Sequence, residues 1–82
     1  MVIKVLGPGC RKCERLYEVI REVLDQEGVE AEVVKVDKLD EIMDHGVVLT
    51  PGLVIDGVVK AAGKVPRPKK IVQWVREAAA RS

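Results

Sequence analysis

Cys10 and Cys13, within "LGPGCRKCERL" (6–16), are the two cysteines of an 82-residue chain. Two thiols separated by two residues can exchange with disulfides, ligate a soft metal or staple a fold. On a helix, residues three apart place their Cβ atoms about 5–6 Å from each other. A disulfide needs about 3.5–4.5 Å, so a small adjustment in a first helical turn makes or breaks the bond. The spacing puts Cys10 at a helix start, where free N–H groups and the positive end of the helix dipole favour a thiolate. Arg11 and Lys12 add positive charge beside it. Exposed cations act weakly through water, so the helix N–H groups are expected to dominate and to hold Cys10 below the free-thiol pKa of about 8.5. Cys13 falls on the apolar stripe of Leu16, Tyr17 and Ile20, so it should be more buried and less acidic. This asymmetry fits an attacking Cys10 and a resolving Cys13. Pro8 and Gly9 give a tight entry and leave the Cys10 sulfur open to a large partner.

The elements that hold this pair follow from periodicity. "VIKVL" (2–6) is a β-branched strand ended by Gly7-Pro8-Gly9. Leu16, Tyr17, Ile20, Val23 and Leu24 recur at helical spacing, predicting a helix over 11–27 with Gly28 just past its end. "EAEVVKV" (30–36) alternates as a second strand. "DKLDEIMDHG" (37–46) predicts a short helix capped by Asp37. Asp56-Gly57 is a two-residue hairpin signal joining strands at 53–55 and 58–61. Ile71, Trp74, Val75 and Ala78 share one face of a last helix, with Pro68 in its first turn. A cysteine pair after a strand and before a helix in a βαβ context favours redox chemistry over the other two roles.

Composition narrows the classes further. One small domain, residues 1–82, is expected. Hydrophobic residues make up 48% with no Phe, one Tyr and one Trp, so the core must be aliphatic. Net charge is +1, which argues against a nucleic-acid or membrane-surface protein. No segment approaches the ~20 apolar residues of a membrane span, and "MVIKVL" is too short for a signal h-region. A cytoplasmic location and a monomer are expected, without a cofactor. In that compartment a lone cysteine pair is more often catalytic or metal-binding than structural. The lack of Asn and the many Glu, Lys and Arg hint at a thermophile.

The chain resembles the thioredoxin-like superfamily in its small, glutaredoxin-sized form. "GCRKC", the element order, "TPGLVIDG" (50–57) and the terminal helix carry the resemblance over nearly all residues. It implies an α/β thioredoxin-like fold, β-α-β-α-β-β-α, with a four-stranded mixed sheet and three helices. It implies thiol–disulfide oxidoreductase activity at Cys10 and Cys13, with protein disulfides as substrates and a reductase as partner. It further implies a cis Pro51 beside the sulfurs, a Thr50 backbone that pairs with substrate, and a groove flanked by Gly9, Arg11 and Lys12. The chain departs from the family in Arg11-Lys12 between the cysteines and in the absence of a Trp before Cys10. Lys4 stands where thioredoxins carry a buried Asp. "AAG" (61–63) replaces the Gly-Gly by which glutaredoxins hold glutathione, which counts against glutathione use.

Other residues read more plainly. His45 is an exposed helix-end residue rather than a ligand, Trp74 is core, and Tyr17 packs one turn after Cys13. Lys60, Lys64, Arg67, Lys69 and Lys70 form a basic stretch, read as a solvated face ahead of a grip on an anion. Lys4 is either a buried cation or an edge-directed, snorkelling side chain. The rival function is a Cu(I) or Zn metallochaperone using the CxxC. Those domains end on a strand, and two cysteines leave a zinc site short of ligands.

Overall fold

In a computed structural model, which describes residues 1–81, the elements run β1 (Val2–Leu6), α1 (Arg11–Glu27), β2 (Glu32–Val36), α2 (Leu39–Asp44), β3 (Gly52–Ile55), β4 (Val58–Ala62) and α3 (Pro68–Arg81). The sheet order is β2-β1-β3-β4. β1 pairs parallel with β2 and antiparallel with β3, and β3 pairs antiparallel with β4. This is the four-stranded mixed sheet of the thioredoxin-like fold, in the expected order. Ser82, the last residue of the expected domain, lies outside the described residues.

Strand alternation divides the interior in two. Ile3, Val5, Leu53, Ile55 and Ala61 join Leu16, Ile20, Val23, Ile71 and Val75 in the larger cluster, under α1 and α3. Leu6, Val36 and Val54 meet Ile42 and Val47 on the other face, under α2. β1 lies inside the sheet, between β2 and β3, and its successive residues face the two layers in turn. Lys4 therefore projects from a central strand, between Val34 and Val54. It is half-buried, and of its two readings the edge-directed one finds no sheet edge there.

The α1 boundaries come from its caps. Gly28 has φ 64°, and its N–H reaches the carbonyls of Asp25 and Leu24, the left-handed ending that glycine adopts without a Cβ penalty. The N–H of Val29 then bonds to Leu24 O at 3.0 Å. Val29 and Ala31 pack against the core as part of this turn, so β2 starts at Glu32 and not at Glu30. The N-cap of α2 is Lys38, without a side-chain cap bond. Because that helix begins at Leu39, Asp37 stands one residue too early to cap it. Asp40 and Glu41 supply the acidic first turn instead.

The hairpin turns at Asp56 (φ 48°) and Gly57 (φ 83°), the double positive φ of a type I′ turn. Asp56 also anchors the chain start: Val2 N–H donates to Asp56 Oδ1 and Asp56 N–H donates to Val2 O, both at 2.8 Å. A bulge between Leu53 and Val54 leaves Lys60 without a partner, since Leu53 pairs with Ala61 and Val54 with Val59. Arg76 on α3 hydrogen-bonds Glu27 on α1, and this holds the Glu27 carboxyl below its ordinary pKa. Among the described residues no helix is long and apolar enough to cross a membrane.

Candidate active site

The site forms where β1 leaves the sheet and α1 begins. β1 ends at Leu6, and Gly7 N–H still donates to Val36 O at 2.8 Å, so the strand pair is held one residue further. Gly9 has φ +87° and open space where a Cβ would stand. That conformation costs most residues energy and glycine little, and it turns the chain into α1. Cys10 is the N-cap of α1 in an extended conformation (φ −70°, ψ 166°). Its Sγ accepts the backbone N–H of Cys13 at 3.3 Å. Cys10 is exposed, whereas Cys13 is only 5% exposed.

The two sulfurs differ in acidity for reasons visible in these contacts. Cys10 is held below its ordinary pKa by the Cys13 thiol, which hydrogen-bonds its sulfur, and next by the Cys13 N–H; the slight burial of Cys10 opposes them and the Lys12 N–H adds to them. Cys13 is pushed up, first by burial and next by donating that bond to Cys10. The sequence expectation put the helix N–H groups first. They contribute, but the partner thiol leads. Arg11 and Lys12 are exposed, and neither side-chain charge is among the groups acting on Cys10.

Gly7 reads in the sequence as part of a turn, and the structure gives it a second role. A Cβ there would lie 2.2 Å from Cys13 Sγ and 3.7 Å from Thr50 Cβ. The backbone of Gly7 is thus the surface against which the buried sulfur rests, with Thr50 beside the same position. The signal in the sequence was a Gly immediately after the strand. The Thr50–Pro51 peptide is cis, and Pro51 is fully buried. Pro51 O accepts the N–H of Gly63 at 2.9 Å, tying the cis-proline loop to the end of the hairpin. A crevice of about 20 Å³ lined by Gly7, Gly9, Glu14 and Lys35 reaches Cys13.

Two further residues escaped the sequence reading. Val48 is 90% exposed and Leu49 is 68% exposed, directly before Thr50. Leu49 lies against Gly63, where a Cβ would come within 2.9 Å of its own. An apolar rim therefore borders the cis-proline loop. His45, by contrast, ends α2 as its C-cap. Tyr17 packs beside the core with Lys35 over its ring at 4.3 Å. Among the described residues no three of His, Cys, Asp and Glu gather as a metal site.

The sequence pattern described as "Thioredoxin domain" matches residues 1–76. The chain belongs to the thioredoxin family. It is 38% identical over 76 residues to a protein called thioredoxin from Methanocaldococcus jannaschii, covering 93% of this chain and 87% of that one. It is 35% identical over 71 residues to a protein called thioredoxin from Methanothermobacter thermautotrophicus, covering 87% of this chain and 92% of that one. The thioredoxin-family frame is thus common to chains of nearly equal length.

Proposed function

We propose that this chain is a thiol–disulfide oxidoreductase acting on protein disulfides, with Cys10 as the attacking thiolate and Cys13 as the resolving thiol. One observation carries the assignment: the exposed Cys10 sulfur caps α1 and accepts from Cys13, while the Cys13 sulfur is buried. Thioredoxin relatives over nearly the whole chain support the activity class.

The exchange has two steps. The Cys10 thiolate attacks one sulfur of a substrate disulfide; a Cys10–substrate disulfide forms and the other substrate sulfur leaves as a thiolate. Cys13 then loses its proton to that departing thiolate or to water, and its sulfur attacks Cys10. The Cys10–Cys13 disulfide forms and the second substrate sulfur leaves. Two electrons pass from protein to substrate, and the substrate takes up two protons. A Cys13 held neutral by burial waits until Cys10 is occupied, which separates the steps in time.

Thr50 and Pro51 form the floor of the substrate groove in this reading. The missing N–H of Pro51 ends any pairing there, leaving the Thr50 backbone to bond an extended peptide. Gly9 keeps the approach open, Arg11 and Lys12 border it, and the exposed Val48 and Leu49 favour a protein substrate over a small thiol. A metallochaperone role is disfavoured by the thioredoxin-domain match over residues 1–76 and by the β-α-β-α-β-β-α order of the described elements. The test is reduction of insulin disulfides with thioredoxin reductase and glutathione offered in parallel. Turnover that needs both cysteines supports the reading; no turnover with either reductant, or with dithiothreitol, contradicts it.

A further inference from the structure

The charges of this chain are unevenly placed. Between Asp56 and Glu77 lie Lys60, Lys64, Arg67, Lys69, Lys70 and Arg76, with no Asp or Glu, although the chain holds 14 Lys and Arg against 13 Asp and Glu. Arg76 is paired with Glu27. The other five make no ion pair among the described residues. The fold gathers four of them: Lys60, Lys64, Arg67 and Lys70 line a groove of about 430 Å³ beside Trp74. Its walls include Val65 and the buried Pro66. A shallower groove along Arg67, Lys69, Lys70 and Gln73 adjoins it. Asp56 and Glu77 line a separate groove that shares Lys60 and Trp74.

This groove is connected to the sulfur site through one hydrogen bond. Gly63 N–H donates to Pro51 O, and Lys64, the next residue, is the first cation of the groove beyond it. A partner whose disulfide lies at Cys10 can therefore continue past Pro51 and Gly63 onto the cations. Lys60 is the bulged residue of β4, which breaks the regular edge and disfavours addition of a further strand. The occupant is then held by side chains, with its charge opposite to theirs.

We infer that the Lys60–Lys64–Arg67–Lys70 groove is a docking surface for an acidic segment of the redox partner protein, which also places an apolar residue beside Trp74. A second copy of this chain would set like charges against each other. A nucleic acid would meet the net negative remainder of the molecule, and Lys70 Nζ already stands over the Trp74 ring at 5.8 Å, where a base would stack. The inference rests on the oxidoreductase reading above for the identity of the partner, and on the groove alone for its acidic character.

Trp74 is the sole tryptophan, so its fluorescence reports the groove directly, whatever the cysteines do. The probe is a Trp-free peptide with four Glu and one Leu, compared with the same peptide carrying Gln. The Glu peptide should saturate a change in Trp74 emission and bind roughly tenfold more tightly than the Gln peptide at low salt. That preference should collapse between about 0.02 and about 0.5 M salt, and in Lys60→Glu/Lys64→Glu. Equal responses to the two peptides, no saturable response, or an unchanged preference in the variant would overturn the inference. So would a saturable response to tripolyphosphate or an oligonucleotide with none to the Glu peptide. A kinetic arm uses single turnover of the reduced protein. The Glu-flanked peptide disulfide should react roughly tenfold faster than the Gln-flanked one, with 2-hydroxyethyl disulfide unchanged in the variant. Failure to reduce 2-hydroxyethyl disulfide at all would strike the oxidoreductase reading and leave the fluorescence arm to decide the groove.

Discussion

The backbone N–H of Cys13 donates to the sulfur of Cys10 at 3.3 Å, so one cysteine caps the helix that carries the other. An N-cap side chain normally accepts from the second or third N–H of its helix. Here the acceptor is a sulfur whose pKa is lowered by that contact, and the donor belongs to the residue proposed above as the resolving thiol. The same short turn orients, acidifies and positions.

The first prediction concerns roles. Cys13→Ser should accumulate a mixed disulfide with a substrate protein through Cys10, and Cys10→Ser should not, because its remaining sulfur is buried. Mass spectrometry after exposure to an oxidised protein substrate reads both. Equal trapping by the two variants would refute the assignment.

Acidity gives the second prediction. Alkylation rate against pH should place the Cys10 midpoint below a free thiol, and Cys13→Ala should raise it, since the Cys13 thiol is the foremost cause of the depression. Arg11→Ala/Lys12→Ala should shift it less. The sign for stability follows from linkage. A depressed Cys10 pKa contributes stability to the reduced fold that is fully present above the unfolded pKa of about 8.5. That contribution is lost as pH falls through the folded value. A raised Cys13 pKa acts oppositely: its contribution is present below the unfolded value and lost as pH rises through the folded one. Reduced-state urea titrations should therefore show a Cys10 contribution that rises with pH up to that unfolded value in the wild-type protein and is smaller in Cys13→Ala, where the foremost cause of the depression is gone.

Gly7→Ala supplies the third. The new methyl cannot coexist with Cys13 Sγ at 2.2 Å, so the sulfur or the strand end must move. Overpacking of this kind costs about 1–3 kcal/mol. The variant should unfold at lower denaturant and, in stopped-flow exchange, keep the attack by Cys10 while slowing release of the mixed disulfide. Wild-type resolution kinetics in Gly7→Ala would show that the contact does not position Cys13.

The fourth concerns the core. Ile20 and Ile71 are fully buried in the cluster shared by α1, α3 and the sheet. Truncation of either to Ala should cost about 2–5 kcal/mol, a large part of the roughly 5–15 kcal/mol that small domains possess. Asp56→Ala should cost less, about 1 kcal/mol, through its exposed bond to Val2. Chemical denaturation of the three variants ranks these losses.

Much of this architecture was legible because its local signals agree. Leu16, Ile20 and Val23 share a helical stripe, Asp56-Gly57 demands two positive φ values, and Pro68 marks the start of α3. The cysteine pair was legible for the same reason, as a strand end followed by a helix start. What escaped needed contacts between distant segments. Gly7 reads as a turn residue until Cys13 folds back on it. Lys4 reads equally as a buried cation or an edge-directed lysine until β3 pairs beside β1. Val48 and Leu49 carry no periodic or motif signal, and only the folded chain shows them exposed beside Thr50. Asp37 and Glu30 missed by one or two residues, where element ends depend on cap geometry rather than composition.

In the function proposed above, Cys10 and Cys13 form one reversible two-electron couple. The measurement is the fraction of protein with the Cys10–Cys13 bond, read by alkylation and mass spectrometry after equilibration across a series of dithiothreitol redox buffers. A single transition with a two-electron slope is expected, about 30 mV per tenfold change in the reduced-to-oxidised ratio. It should be abolished in Cys10→Ser and in Cys13→Ser. Two thiols that stay reduced throughout, or that oxidise only between molecules, would contradict it.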